Sequence, residues 1–139
     1  MKSIKDPFLF AVKEYRDSNG IIGIVEDSEI PMAIRRVFWL TEVPDNTMRG
    51  GHAHHQSQQV LICFQGEIMV HLEDLTGKGY DYCLKPQGQA LYIPPLVWGE
   101  YTFHKSAQAI CLASDLFDED DYVRDYQVFK SLQHANQLS

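Results

Sequence analysis

Arg49-Gly50-Gly51-His52-Ala53-His54-His55-Gln56-Ser57-Gln58-Gln59 stands immediately before the apolar run Val60-Leu61-Ile62-Cys63-Phe64. In an extended strand successive side chains point to opposite faces, so His52 and His54 share one face while Ala53 and His55 take the other. Two imidazoles therefore converge on one side of a sheet, beside glycines and an arginine. Such a pair is costly to bury as mere core, and it reads as chemistry. With an ordinary pKa near 6.5, a histidine serves as acid or base in the physiological range. The isolated His71, His104 and His134 read as surface or satisfied core residues.

Outward from this segment, short runs rich in β-branched and aromatic residues alternate with turn signals, the pattern of antiparallel strands in a sandwich or barrel. Ile21 to Glu26 follows Asn19-Gly20, and Ala33 to Leu40 ends before Pro44-Asp45-Asn46. Val60 to Phe64 and Glu67 to Leu72 are separated by Gln65-Gly66, which suits a tight hairpin. Tyr80 to Leu84 follows Thr76-Gly77-Lys78-Gly79, and Pro86-Gln87-Gly88 leads into Ala90 to Ile93. Pro94-Pro95 interrupts the ladder before Trp98 to Phe103, and Ala107 to Ala113 closes the series. Beyond Ser114 the acidic residues Asp115, Asp118, Glu119, Asp120 and Asp121 precede Tyr122, Val123, Tyr126 and Phe129 at helical spacing. This predicts a helical segment over 115–130, with its carboxylates capping the positive end and facing solvent. The acidic run lacks the glycine and alternating ligands of a calcium loop. Residues 131–139 are expected to fray.

The chain has 139 residues, of which 45% are hydrophobic and 22% charged, which suits one globular domain over 1–139 with a core of its own. No apolar run approaches the roughly 18 residues of a membrane span. The start, Met1-Lys2-Ser3-Ile4-Lys5-Asp6-Pro7, has no apolar secretory core, and a cytoplasmic location is expected. A net charge of −7 argues against an extended nucleic-acid surface and leaves room for a small phosphorylated ligand held by a few arginines. Cys63, Cys83 and Cys111 lie far apart in strand-like segments and read as reduced, buried small hydrophobes rather than nucleophiles.

Two longer patterns carry a family resemblance. His52-Ala53-His54 with Gln59 and Gly66 resembles the first cupin signature, in which His-x-His is followed by Glu and then Gly. Gly88 to Gly99 resembles the second, with Leu96 at its Gly and Gly99 at its His. The resemblance implies an all-β fold, the cupin double-stranded β-helix or jelly-roll barrel, with a short carboxy-terminal helix. It also implies a dismantled metal site, since an amide at Gln59 and no side chain at Gly99 leave too few donors to grip an ion. Arg49-Gly50-Gly51-His52-Ala53-His54, Ile93-Pro94-Pro95, Trp98, Glu100, Leu112-Ala113-Ser114-Asp115 and Tyr122-Val123-Arg124-Asp125-Tyr126 together resemble the dTDP-4-keto-6-deoxyglucose 3,4-ketoisomerases, the WxcM-like branch of the cupins. Members of that branch usually carry Gly near 96 and His or Arg near 99, so the far wall of the pocket departs from them at Leu96 and Gly99.

That resemblance implies a homodimer without metal or cofactor, acting on a dTDP-linked 4-keto-6-deoxyhexose in the biosynthesis of 3-amino-3,6-dideoxy sugars, with no nucleic-acid or membrane partner. Residues 1–26 are expected to lend a strand to the neighbouring barrel, covering the edge of Ile21-Ile22-Gly23-Ile24-Val25. His52 and His54 are the expected catalytic residues, with His54 favoured as proton shuttle and His52 as its partner on oxygen. Arg49 is expected on the diphosphate or a sugar hydroxyl, and Gln59 on the sugar or an imidazole. Tyr101, inward with residue 99 by alternation, offers an oxygen donor, while Trp98 and Tyr92 offer rings for the thymine. Three rivals stand beside this reading: a 3,5-epimerase, disfavoured because no His-Asp dyad is visible; a non-catalytic sugar-binding cupin; and a metal-dependent oxygenase or isomerase.

Overall fold

The computed structural model describes residues 5–86 and 88–139; Met1 to Ile4 and Gln87 of the Pro86-Gln87-Gly88 turn lie outside the described residues. The elements are, in order, β1 (Phe8–Ala11), β2 (Lys13–Asp17), β3 (Gly20–Ile24), β4 (Arg36–Leu40), β5 (Thr47–His54), β6 (Gln59–Glu73), β7 (Gly79–Leu84), β8 (Gln89–Ile93), β9 (Trp98–Ala113), β10 (Tyr122–Val123) and α1 (Tyr126–Leu138), with single 3-10 turns at Asp27–Glu29 and Glu119–Asp121. An eight-stranded antiparallel sheet runs β1-β8-β6-β9-β5-β10, with β4 also on β9 and β7 also on β6. Strands β2 and β3 form a separate ribbon.

Alternation sorts the side chains into three apolar clusters. Leu61, Cys63, Ile68, Val70 and Leu72 of β6 meet Phe103, Ala109 and Cys111 of β9 inside the barrel. Val60, Ala90 and Tyr92 face the other way and are covered by the amino-terminal segment, including Phe8, Ile30 and Met32. Ala53, Trp98 and Val123 are covered by Phe129 of α1.

One expected hairpin, at Gln65-Gly66, and one expected break between strands, after Phe103, are each the interior of a single long strand. Gln65-Gly66 and Lys105-Ser106 do not turn the chain back; they are facing irregularities where β6 and β9 shift register and continue. Turn residues serve a bulge as well as a hairpin because both need left-handed backbone, and Gly66, Lys105 and Ser106 all have positive φ. At Gly66 a Cβ would stand 2.6 Å from the Lys105 carbonyl oxygen, so the crossing itself demands glycine.

The helix also differs from its expected bounds. Residues 115–125 hold a 3-10 turn and the short strand β10, and the helix begins only at Tyr126, where the Asp125 side chain accepts a hydrogen bond from the Gln127 amide. The last residues extend the helix to Leu138 instead of fraying. Anchors explain this: Phe129 is fully buried, and Glu73 of β6 accepts hydrogen bonds from Tyr126, Lys130 and Gln133. No helix among the described residues is long and apolar enough to cross a membrane. Strand β1 of the amino-terminal segment pairs with β8 of its own barrel.

Candidate active site

The barrel opens on a cavity of about 230 Å³ with an apolar floor that includes Phe38, Leu61 and Phe103. Its polar wall comes from Arg49, His52, Gln59, Tyr101, Tyr122 and Arg124. His52 and His54 do share a face, with ring centroids 5.1 Å apart and nearly perpendicular, and Tyr122 packs on both. A register shift between Gly50 and His52, opposite β9, carries β5 into this arrangement.

The two imidazoles are not equivalent. His52 lines the cavity, whereas His54 sits behind it, 6% exposed, and forms no part of the wall. His54 Nδ1–H donates to Asp121 Oδ2 at 3.0 Å, and Gln59 Nε2 donates to His54 Nε2 at 3.2 Å. The carboxylate thereby sets the tautomer and the amide covers the remaining lone pair. Burial lowers the pKa of His54, against the pull of Asp121. His52 is held down to about 4, first by burial and then by repulsion from His54 and Arg124. Its Nδ1 is buried without a hydrogen-bond partner among the described residues. At neutral pH it is an uncharged base facing the cavity.

Asp121 is the residue that sequence reasoning missed. In the sequence it reads as part of a solvated acidic run, yet it also accepts hydrogen bonds from the backbone amides of Gln56 and Ser57, at 2.8 and 3.2 Å. It thus fixes both His54 and the turn after β5. A His-Asp pair therefore exists, and its supposed absence no longer argues against a 3,5-epimerase. Tyr122 and Arg124 were noticed only as parts of a motif. Arg124 reaches the cavity mouth locked by Glu119, at 2.6 and 3.0 Å, and stacked 4.1 Å from the Tyr122 ring centroid.

Arg49, Gln59 and Tyr101 line the cavity as expected from the sequence, but Trp98 does not. Strand alternation that turns Gly99 and Tyr101 inward turns Trp98 outward, where it packs against Tyr126 and Phe129 and donates to Glu100. Tyr92 is likewise removed from the cavity: it stacks on Phe8 and donates to Gln58. The thiols are buried at Cys63 and Cys111 and half-buried at Cys83. Burial raises Cys63 to about 11 and Cys111 to about 12, which leaves them protonated and inert.

The family description "FdtA: WxcM-like, C-terminal" matches residues 5–134. The chain belongs to the WxcM-like family. A TDP-4-oxo-6-deoxy-alpha-D-glucose-3,4-oxoisomerase of Aneurinibacillus thermoaerophilus is 37% identical over 120 residues, 85% of this chain and 86% of that protein. The fold matches the 3,4-ketoisomerase QdtA of Thermoanaerobacterium thermosaccharolyticum, solved as a histidine-to-asparagine mutant with TDP-4-keto-6-deoxyglucose, with a TM-score of 0.89 at 29% identity over 99% of this chain and 100% of that one. It also matches the TDP-quinovose 3,4-ketoisomerase WlaRB of Campylobacter jejuni, with a TM-score of 0.84 at 32% identity over 92% and 99% of the two chains. An epimerase of Mycobacterium tuberculosis shares the fold at only 13% identity, with a TM-score of 0.74 over 88% and 70% of the two chains. The architecture is the cupin-type jelly roll, and the family's named members are isomerases of TDP-linked sugars.

Proposed function

We propose that this WxcM-like chain converts dTDP-4-keto-6-deoxyglucose to the 3-keto isomer, with His52 as the base that meets the sugar. The observation that carries the assignment is the uncharged His52 on the cavity wall, with His54 held behind it by Asp121 and Gln59. This reverses the roles expected from the sequence. The C3 proton is acidified by the neighbouring C4 ketone. His52 removes it, the bonding pair forms C3=C4, and the carbonyl pair moves to O4. The remaining hydroxyl proton passes from O3 to O4, and His52, whose acquired proton exchanges with solvent at the open cavity, delivers a proton to C4 as C3–O becomes the ketone. Incubation in heavy water followed by proton NMR tests this: deuterium at C4 and a ketone at C3 are expected. Exchange at C3 and C5 with the ketone still at C4 would indicate an epimerase.

Arg49, at the cavity mouth and without an acidic partner in the described residues, is suited to hold the diphosphate through a planar two-pronged contact. Arg49→Ala is expected to weaken dTDP binding about tenfold by calorimetry, with Arg49→Lys recovering part of the loss. Equal affinity in Arg49→Ala and wild type would remove the diphosphate role.

Both ring nitrogens of His54 are engaged, Gln59 presents an amide nitrogen, and Gly99 offers no donor, so this donor set does not suit a divalent ion. Turnover is expected to survive exhaustive chelation. Loss of activity, restored by one particular divalent metal, would contradict this.

We further assign the chain to the cytoplasm and to a homodimer. Ile22 of β3 is 64% exposed and Trp39 of β4 68% exposed, surfaces that a second copy would cover. With β1 paired at home, β2 and β3 remain as the exchanged ribbon. Light scattering at micromolar concentration should give twice the chain mass.

A further inference from the structure

Tyr101 lies flat across two glycines. A Cβ on Gly50 would stand 2.5 Å from Tyr101 Cδ2 and 2.8 Å from Cε2; one on Gly99 would strike the Tyr101 hydroxyl and stand 2.7 Å from Cζ. No side chain tolerates such contacts with a fixed ring. Gly50 has a second reason to be glycine, its φ of +87°. Gly99 has none, so there the missing side chain serves only to make space. Strand register sets Gly99 opposite His52. The phenol that fills the space over Gly99 and the His52 imidazole therefore line one cavity from paired positions of β9 and β5.

Two further facts define what this hydroxyl can do. Burial, reinforced by the neighbouring Cys111, raises the tyrosine's pKa, so the proton is retained, and the hydroxyl has no hydrogen-bond partner among the described residues. A phenol held rigidly by its seat and left unpaired at a cavity wall is a preorganised donor, the kind of group that stabilises charge appearing in a reaction without reorganising.

We infer that Tyr101 is a catalytic residue that donates a hydrogen bond to the sugar oxygen at C4 as it becomes negative, and that Gly50 and Gly99 exist to seat it. This rests on the ketoisomerase reading. The hydroxyl keeps its proton throughout, so the proton balance given above is unchanged. A side chain at position 99 would take the same place from one residue pair along the strand, so residues 99 and 101 share one position in the wall.

The test uses the full chain and dTDP-4-keto-6-deoxyglucose. Tyr101→Phe should lower kcat about fiftyfold with KM and dTDP affinity within threefold of wild type, somewhat less than a donor in a fully closed site is worth. Gly99→Ala should reproduce the loss by displacing the phenol, and Tyr101→Phe with Gly99→Ala should be no worse than the more damaged single variant. Unchanged kcat in Tyr101→Phe beside an active wild type, or losses that multiply in the double variant, would overturn the assignment. A wild type that does not turn the sugar over would overturn the ketoisomerase reading, and the inference with it.

Discussion

His52→Asn is expected to lower kcat about a thousandfold while the far-ultraviolet circular dichroism stays that of the wild type. A positioned base contributes about a hundred- to ten-thousandfold, and His52 combines the cavity position with an uncharged ring. Its fold should survive, because His52 is only half-buried, its Nδ1 has no partner among the described residues, and the polar contact at stake is a single one with the Gly50 backbone. The wild-type pH profile gives an independent check. Because the pKa of His52 lies at about 4, the free base persists as pH falls through the usual histidine range. The acid limb of kcat/KM, which reports the free enzyme, should therefore stay flat from pH 8 to about 5 and fall only below that. A limb centred near 6.5, or turnover in His52→Asn within tenfold of wild type, would refute the role.

Asp121→Asn should cost about a hundredfold in kcat with little change in dTDP affinity. The carboxylate accepts the His54 Nδ1 proton. An amide nitrogen in its place would donate instead, driving the proton to Nε2, where it would meet the Gln59 Nε2 donor head-on. That conflict lies directly behind His52, whose ring touches His54. Adding Gln59→Glu supplies an acceptor for the displaced proton and should recover part of the rate, an outcome that mere loosening of the turn after β5 would not produce. A single variant within threefold of wild type would show that the tautomer is immaterial. His54→Asn, which removes the whole relay, should cost at least as much.

The barrel and the histidine pair were legible because both rest on a period of two. Strand alternation put His52 and His54 together and carried Tyr101 inward with Gly99. Applied one residue earlier, it also turns Trp98 outward, so the ring that suits a nucleobase packs on α1 instead. The roles of Asp121, Tyr122 and Arg124 are hidden in the sequence for a different reason. Asp121 lies 67 residues from His54, and the strand that delivers it to the site, β10, is only two residues long, too short to show any period. An acidic run ahead of an amphipathic stretch looks the same whether its carboxylates cap a helix or one of them turns back to an imidazole. The bulges in β6 and β9 were hidden similarly, since left-handed backbone is needed by a bulge and a reversal alike.

The clasp of α1 on the barrel has a consequence for how activity is lost. Phe129 seated against Trp98 and the Glu73 hydrogen bonds hold the chain end that carries Asp121, Tyr122 and Arg124, which adds to the main sheet only the two-residue edge strand β10. Opening of that end costs less than melting the sheet, as local openings generally do. Heat, protease or a ribosome stalled near the end of the message would each leave a folded barrel whose histidines have lost their backing, so inactivation runs ahead of unfolding.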